Sequence, residues 1–182
     1  MLGKVGGIPF EKLSLDRGRR QIDVEAWQFG GDPLPVGSVR SLEIPGPNGP
    51  IPARLYLPTT SGPDGEPIAT GSRGLLVNYH GGGFVLGSIA SHDPICRFLC
   101  ARAGVGVLSV GYRLAPEHPF PEGYEDTIAA YKWARENAAA LGLADRVAVC
   151  GDSAGGNLAA AVAQAARDRR LPQPDLQGLL SP

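Results

Sequence analysis

Apolar residues along this chain come in short blocks, and Gly- and Pro-rich stretches separate them. Ser38–Ile44 and Ile51–Leu57 are two such blocks, apolar residues interspersed with polar ones, and read as strands. Pro45-Gly46-Pro47-Asn48-Gly49-Pro50 lies between them and predicts a hairpin connection. Pro58–Arg73 reads as a polar loop. Beyond it, continuous apolar blocks alternate with longer segments of helical period. Strands are predicted at Gly74–Tyr79, Val105–Gly111, Arg146–Cys150 and Gln177–Leu180. Helices are predicted at Ser91–Ala103, with Ser91 as N-cap, at Pro121–Leu141 and at Ala154–Arg169. An antiparallel hairpin leading into strand–helix–strand units predicts an α/β fold: a mostly parallel sheet with helices on both faces.

Bulk composition narrows the picture little. A chain of 182 residues fits one domain with a sizeable core. The 43% hydrophobic and 19% charged content suggests neither disorder nor a membrane class. A net charge of −1 argues against nucleic acid as partner. No apolar run reaches transmembrane length, which argues against membrane insertion. Met1–Gly7 has no apolar core of signal-peptide length. Three cysteines fit a reducing compartment, so a cytoplasmic location is expected. Cys96, Cys100 and His92 lie at helical spacing, but structural zinc wants four ligands and no fourth is evident. No metal is expected, and the stripe reads as core-facing together with Ile95 and Leu99. The basic cluster Arg17, Arg19 and Arg20 reads as a solvated face.

Two segments carry chemistry. Gly151-Asp152-Ser153-Ala154-Gly155 follows an apolar block and opens a run of small residues. Strand, sharp turn and helix with serine at the turn is the context of a G-x-S-x-G nucleophile elbow. The expected backbone at Ser153 is strained, with φ > 0 or another sparsely populated conformation. Gly151 and Gly155 are needed where a Cβ would collide between strand and helix. The second segment, His80-Gly81-Gly82-Gly83-Phe84, follows the strand ending at Tyr79. Three glycines let backbone N–H groups crowd a small target, as an oxyanion hole requires. A phosphate loop is excluded because no Lys-Ser or Lys-Thr follows. A dinucleotide fingerprint fails because Ser153 stands where a glycine is needed.

These two motifs resemble the hormone-sensitive-lipase-like family of α/β-hydrolases, bacterial carboxylesterases and lipases among them. Gly111-Tyr112-Arg113-Leu114-Ala115-Pro116-Glu117-His118-Pro119-Phe120-Pro121, Gly87-Ser88 and Ser91-His92-Asp93 are also similar to family stretches. The likeness runs from about Val39 to Pro182. Residues 1–35 loosely resemble the family's N-terminal cap, and 36–182 a partial α/β-hydrolase core domain. The resemblance implies that Ser153 is the nucleophile and that the N–H groups of Gly82, Gly83 and Ala154 hold the oxyanion. It implies that His80 braces the glycine loop with Gly81 beside it, and that Asp152 is structural or electrostatic. It further implies an ester of short to medium chain length as small-molecule substrate, with no cofactor. With the density of X-Pro bonds, it makes Ala115-Pro116 and Phe120-Pro121 candidates for cis geometry.

The same resemblance exposes a gap. The order in this fold is Ser, then Asp or Glu, then His. After Ser153 the sequence holds Asp168 and Asp175 and no histidine. Asp168 falls at a polar helix end and Asp175 in a Pro-rich connection, so neither is placed as the triad acid. His92 and His118 precede the serine, and His118 reads as a turn residue. The expectation is therefore a chain lacking the triad acid and histidine, the last strands and helices, and part of the cap. The alternative is a non-catalytic ligand-binding protein on the same fold; plant gibberellin receptors look like this family and bind without hydrolysing.

Overall fold

The structure is a computed structural model that describes residues 13–59 and 73–182. Met1–Gly7 and most of the expected loop Pro58–Arg73 lie outside the described residues. In chain order the elements are α1 (Leu15–Phe29), β1 (Ser38–Ile44), β2 (Ile51–Leu57), β3 (Leu75–Tyr79), α2 (Asp93–Ala103), β4 (Gly106–Val110), α3 (Glu122–Asn137), β5 (Val147–Asp152), α4 (Ala154–Asp168) and β6 (Gln177–Leu180). The strands form one sheet in the order β1-β2-β4-β3-β5-β6. β1 and β2 pair antiparallel from Ser38↔Leu57 to Ile44↔Ile51. β2 is antiparallel to β4, and β4, β3, β5 and β6 run parallel. This is the mostly parallel α/β sheet the pattern predicts and the α/β-hydrolase architecture the resemblance implies.

Alternation along the strands splits the core between the two faces of the sheet. Leu55, Leu108 and Val110 join the cluster built with Tyr131 and Ala134 of α3 and Leu158, Ala159 and Val162 of α4. Tyr56 and Val107, one step out of phase, pack with Cys96 and Cys100 of α2. Cys96 and Cys100 are therefore core, as expected, with Leu99 packed against them, whereas the third member of the stripe, His92, turns out of the core to meet Asp152. Ile95 is a correction: it is 41% exposed, because it lies about 100° around the helix from Cys96. No group of three metal-ligating side chains forms among the described residues, and none of their helices is long and apolar enough to cross a membrane.

Several boundaries shift for local reasons. α2 starts at Asp93 with His92, not Ser91, at its N-cap position. The Ser91 hydroxyl is engaged elsewhere: it accepts the Ser88 N–H at 2.8 Å and closes a turn with the Ser88 carbonyl. β5 extends two residues past Cys150, because Gly151 and Asp152 pair with Leu179 and Leu180 of β6. Both expected X-Pro bonds, Ala115-Pro116 and Phe120-Pro121, are cis.

The basic cluster needs a second correction. Arg17 and Arg20 are exposed, but Arg19 is not a solvated charge. Its guanidinium donates to the Val85 carbonyl at 2.9 Å, the Ala115 carbonyl at 3.0 Å and the Glu117 carboxylate at 2.8 Å. Ser88 also donates to Asp23. α1 is thereby tied to the two loops that follow β3 and β4.

β6 pairs on one side only among the described residues. Around it Leu176, Leu179 and Leu180 are 61%, 40% and 59% exposed. An unpaired apolar edge templates association. The purified chain is expected to self-associate with rising concentration in light scattering. Leu176→Lys with Leu180→Lys should shift it toward monomer without lowering the melting temperature. A concentration-independent monomer of the unaltered chain would contradict this reading.

Candidate active site

β3 and β5 are parallel neighbours with Tyr79 opposite Gly151. The glycine loop and the elbow therefore leave the sheet side by side at the same edge, where open α/β sheets bind ligands. Ser153 has φ 49° and ψ −121°, the positive-φ, sparsely populated backbone expected of it. It is exposed, and it stands at the N-cap position of α4 without using its hydroxyl to cap the helix. Its N–H donates to the Leu180 carbonyl at 2.8 Å and its carbonyl accepts the Asn157 N–H at 3.0 Å. The turn is thus pinned on both sides, and the hydroxyl is left for chemistry.

The turn closes only with glycine on either side. A Cβ on Gly155 would run into the backbone of Tyr79 and His80, and one on Gly151 into the backbone of Gly155. In the facing loop, Gly82, Gly83 and Phe84 all have positive φ, at 120°, 61° and 64°. This run turns the chain back so that Val85 and Leu86 N–H groups bond the Gly82 carbonyl at 3.1 and 2.8 Å. Neither the Gly82 nor the Gly83 N–H donates to an acceptor among the described residues. The Ala154 N–H belongs to the first residue of α4, which has no intrahelical acceptor. Three donors thus stay free near one exposed serine, at a helix terminus whose dipole favours negative charge.

His80 sits beneath this loop, 1% exposed. Its Nδ1 lies 2.8 Å from the Gly81 carbonyl. Its ring stacks on Tyr112 at 4.3 Å, and the Tyr112 hydroxyl donates to the His80 carbonyl at 2.7 Å. Burial pushes its pKa down to about 4, so the imidazole is neutral at neutral pH and Nδ1–H donates to Gly81.

The sequence did not reveal how Asp152 is used. Its Oδ1 accepts the Gly81 N–H at 3.1 Å and meets His92 Nε2 at 3.0 Å. The other His92 nitrogen lies 3.0 Å from the Ser91 hydroxyl. One carboxylate, adjacent in sequence to Ser153, thereby ties the elbow to the first residue of the glycine loop. Burial acts to raise the Asp152 pKa, but the His92 hydrogen bond and charge and the Gly81 N–H outweigh it and hold it below the usual range. The only sequence signal for this tie was the resemblance carried by Ser91-His92-Asp93; nothing local links positions 60 residues apart.

The remaining candidates fall elsewhere. Asp175 accepts from the Val147 N–H and from Arg135, both at 2.8 Å, which fixes the approach to β6. Asp168 pairs with neighbouring Arg167 at 2.8 Å on the surface. His118 Nδ1 lies 2.8 Å from Glu122. Each of the three is paired elsewhere, and none hydrogen-bonds Ser153.

His80 gives the site a pH signature. A histidine whose folded pKa is below its unfolded value of about 6.5 contributes full stability only above 6.5, and loses it as pH falls toward the folded value. With a folded value of about 4, the chain should be about 2 kcal/mol less stable at pH 5 than at pH 7.5. Asp152, whose folded and unfolded values both lie lower, contributes nothing across that window. Urea unfolding at the two pH values measures the difference, and His80→Gln should remove most of it. An undiminished pH dependence in His80→Gln would place its source elsewhere.

Comparisons with known proteins agree with this geometry. Residues 76–182 match the α/β-hydrolase fold family. The chain is 51% identical to the carboxylic ester hydrolase LipN of Mycobacterium tuberculosis over 150 residues, 79% of this chain and 38% of that protein. It is 40% identical to the ethyl acetate hydrolase of Pseudomonas putida across 99% of this chain and 55% of that one. Among solved structures, an ester hydrolase from the metagenome of Lake Arreo, complexed with a bipyridine phosphonate derivative, superposes with a TM-score of 0.86 at 41% identity. That match covers 96% of this chain and 54% of the other. The chain thus spans roughly 38–55% of the length of these relatives. With its glycine loop and serine elbow on adjoining parallel strands, it belongs to the hormone-sensitive-lipase-like α/β-hydrolases.

Proposed function

We propose that this chain carries the nucleophile and oxyanion side of a serine carboxylic ester hydrolase acting on short- to medium-chain esters. The observation that carries the reading is the exposed Ser153 held at φ 49° between β5 and α4, beside the open N–H groups of the glycine loop. Ser153 Oγ would attack the ester carbonyl carbon. The carbonyl oxygen, becoming an oxyanion, would be held by the N–H groups of Gly82, Gly83 and Ala154. Collapse of the tetrahedral adduct would expel the alcohol and leave Ser153 acylated, and water would then release the acid. His80 holds the loop in place through Gly81, and Asp152 holds it through the Gly81 N–H. Side chains, backbone and water suffice for this chemistry without a cofactor.

The proton of Ser153 needs a base. His80 is buried against Gly81, His92 is engaged by Asp152, and His118 by Glu122. No histidine follows Ser153 in the sequence. Full turnover therefore requires an imidazole–carboxylate pair that these 182 residues do not provide. The same absence favours a second reading, a ligand-binding protein on this fold that holds an ester-like molecule without cleaving it.

Two assays separate the readings. A fluorophosphonate should label this chain slowly and only at Ser153, with no label on Ser153→Ala. Labelling that is absent, or equal in Ser153→Ala, would remove the nucleophile from the proposal and leave the binding reading. Turnover of p-nitrophenyl acetate and butyrate should match that of Ser153→Ala, since loss of the base costs on the order of 10⁶ in kcat. A burst abolished by Ser153→Ala would mean that one of the three histidines, His92 first, serves as base after all.

A further inference from the structure

A cavity of about 620 Å³ opens beside the glycine loop. One end meets Gly83 and Asn157, the latter one helical turn past Ser153. Its floor includes Leu158, Ala161 and Ala165 of α4, at spacings that put them on one helix face. Small and aliphatic side chains there make a low apolar surface.

Four aromatic rings, Phe84, Tyr112, Phe120 and Tyr124, line the cavity, and polar Arg113, His118, Gln164 and Asp168 stand among them. Tyr112 is fixed by its stack on His80 and by its hydroxyl bond to the His80 carbonyl. Phe84 holds φ 64°, where a bulky residue is a genuine outlier. Its carbonyl accepts the Ala115 N–H at 2.9 Å, which helps keep it there. Its side chain is nonetheless 42% exposed, so the strain does not bury the ring in the core. Phe120 is 85% exposed and stacks on Tyr124, with ring centroids 6.1 Å apart and 27° between planes. Neither Phe84 nor Phe120 belongs to either core cluster. Backbone strain that persists without serving the core points to function. Exposed rings gathered on one mainly apolar cavity point to a ligand that covers them.

We propose that this cavity is an aryl-binding slot, which receives a planar aromatic substituent of the ester held at Gly83 and Ser153. The proposal rests on the reading of that pair as the ester-carbonyl site. An aliphatic chain would gain only from the area it buries, whereas an aromatic ring also gains from offset-stacked and edge-to-face contacts with Phe120, Tyr124 and Phe84. The slot therefore discriminates by ring character and not by size alone.

The test needs no turnover. Two uncharged ketones that cannot be hydrolysed, 4-phenylbutan-2-one and 4-cyclohexylbutan-2-one, present the same carbonyl with and without an aromatic ring. Calorimetric titration of the intact chain should give a Kd about three- to tenfold lower for the phenyl ketone. Phe120→Leu and Tyr124→Leu, made singly and checked by thermal melt, should each cut that ratio to below about twofold while leaving the cyclohexyl Kd nearly unchanged. Phe120→Tyr should keep the ratio. Ser153→Ala should leave the ratio of the two Kd values unaltered, even where it moves both together, so a failed phosphonate reaction and a failed slot are read independently. Equal affinities for the two ketones, no binding of either, or a phenyl preference that survives both leucine variants would overturn the proposal.

Discussion

The site depends on how closely the start of α4 lies against the end of β3. Gly155 passes the Tyr79 and His80 carbonyls so tightly that no side chain fits, and Gly151 faces Gly155 under the same constraint. That approach brings the serine turn on β5 next to the glycine loop on β3. Parallel pairing at Tyr79↔Gly151 sets the height of the two loops, and the glycines set how near they come. The hydrogen bonds of Asp152, His92 and His80 then hold a spacing that the backbone has already chosen.

This explains why the donors are backbone and the braces are side chains. Backbone N–H groups placed by strand register are rigid, and rigid dipoles stabilise developing charge without reorganising. Their weakness is that Gly81, Gly82 and Gly83 permit many conformations. Each escape is closed by a partner: Gly81 by Asp152 and His80, the loop's exit at Val85 by Arg19, and Phe84 by Ala115. A neutral His80 suits this role. A charged imidazole would cost more to bury, and its Nδ1–H bond to the Gly81 carbonyl needs no charge.

What the sequence made legible follows from how local each signal was. The hairpin bounds Ser38–Ile44 and Ile51–Leu57 are those of β1 and β2, because a short apolar block and a Pro/Gly connection both act within a few residues. The positive φ of Ser153 is legible because only small neighbours tolerate that turn. The partners of Arg19 are not legible because three arginines on one helix carry no local sign of one; its acceptors lie 66 to 98 residues away. The Asp152–His92 tie, across 60 residues, is hidden for the same reason. The preference of serine for N-caps is a local rule that points to Ser91, and the Ser88 turn outcompetes it.

The division of labour along the chain follows from the same geometry. A hole built of backbone N–H groups must come from strands that adjoin, so β3 and β5 and their loops suffice to form it. A proton acceptor works through a side chain and only has to reach the serine, so any element at that sheet edge can supply it. On the proposed reading, residues 13–182 can therefore place nucleophile and oxyanion donors correctly while leaving the acid–base step unserved. Carbonyl recognition and the aryl slot would still operate in such a chain. Both depend on Gly83, α4 and the aromatic rings beside them, and neither draws on the missing base.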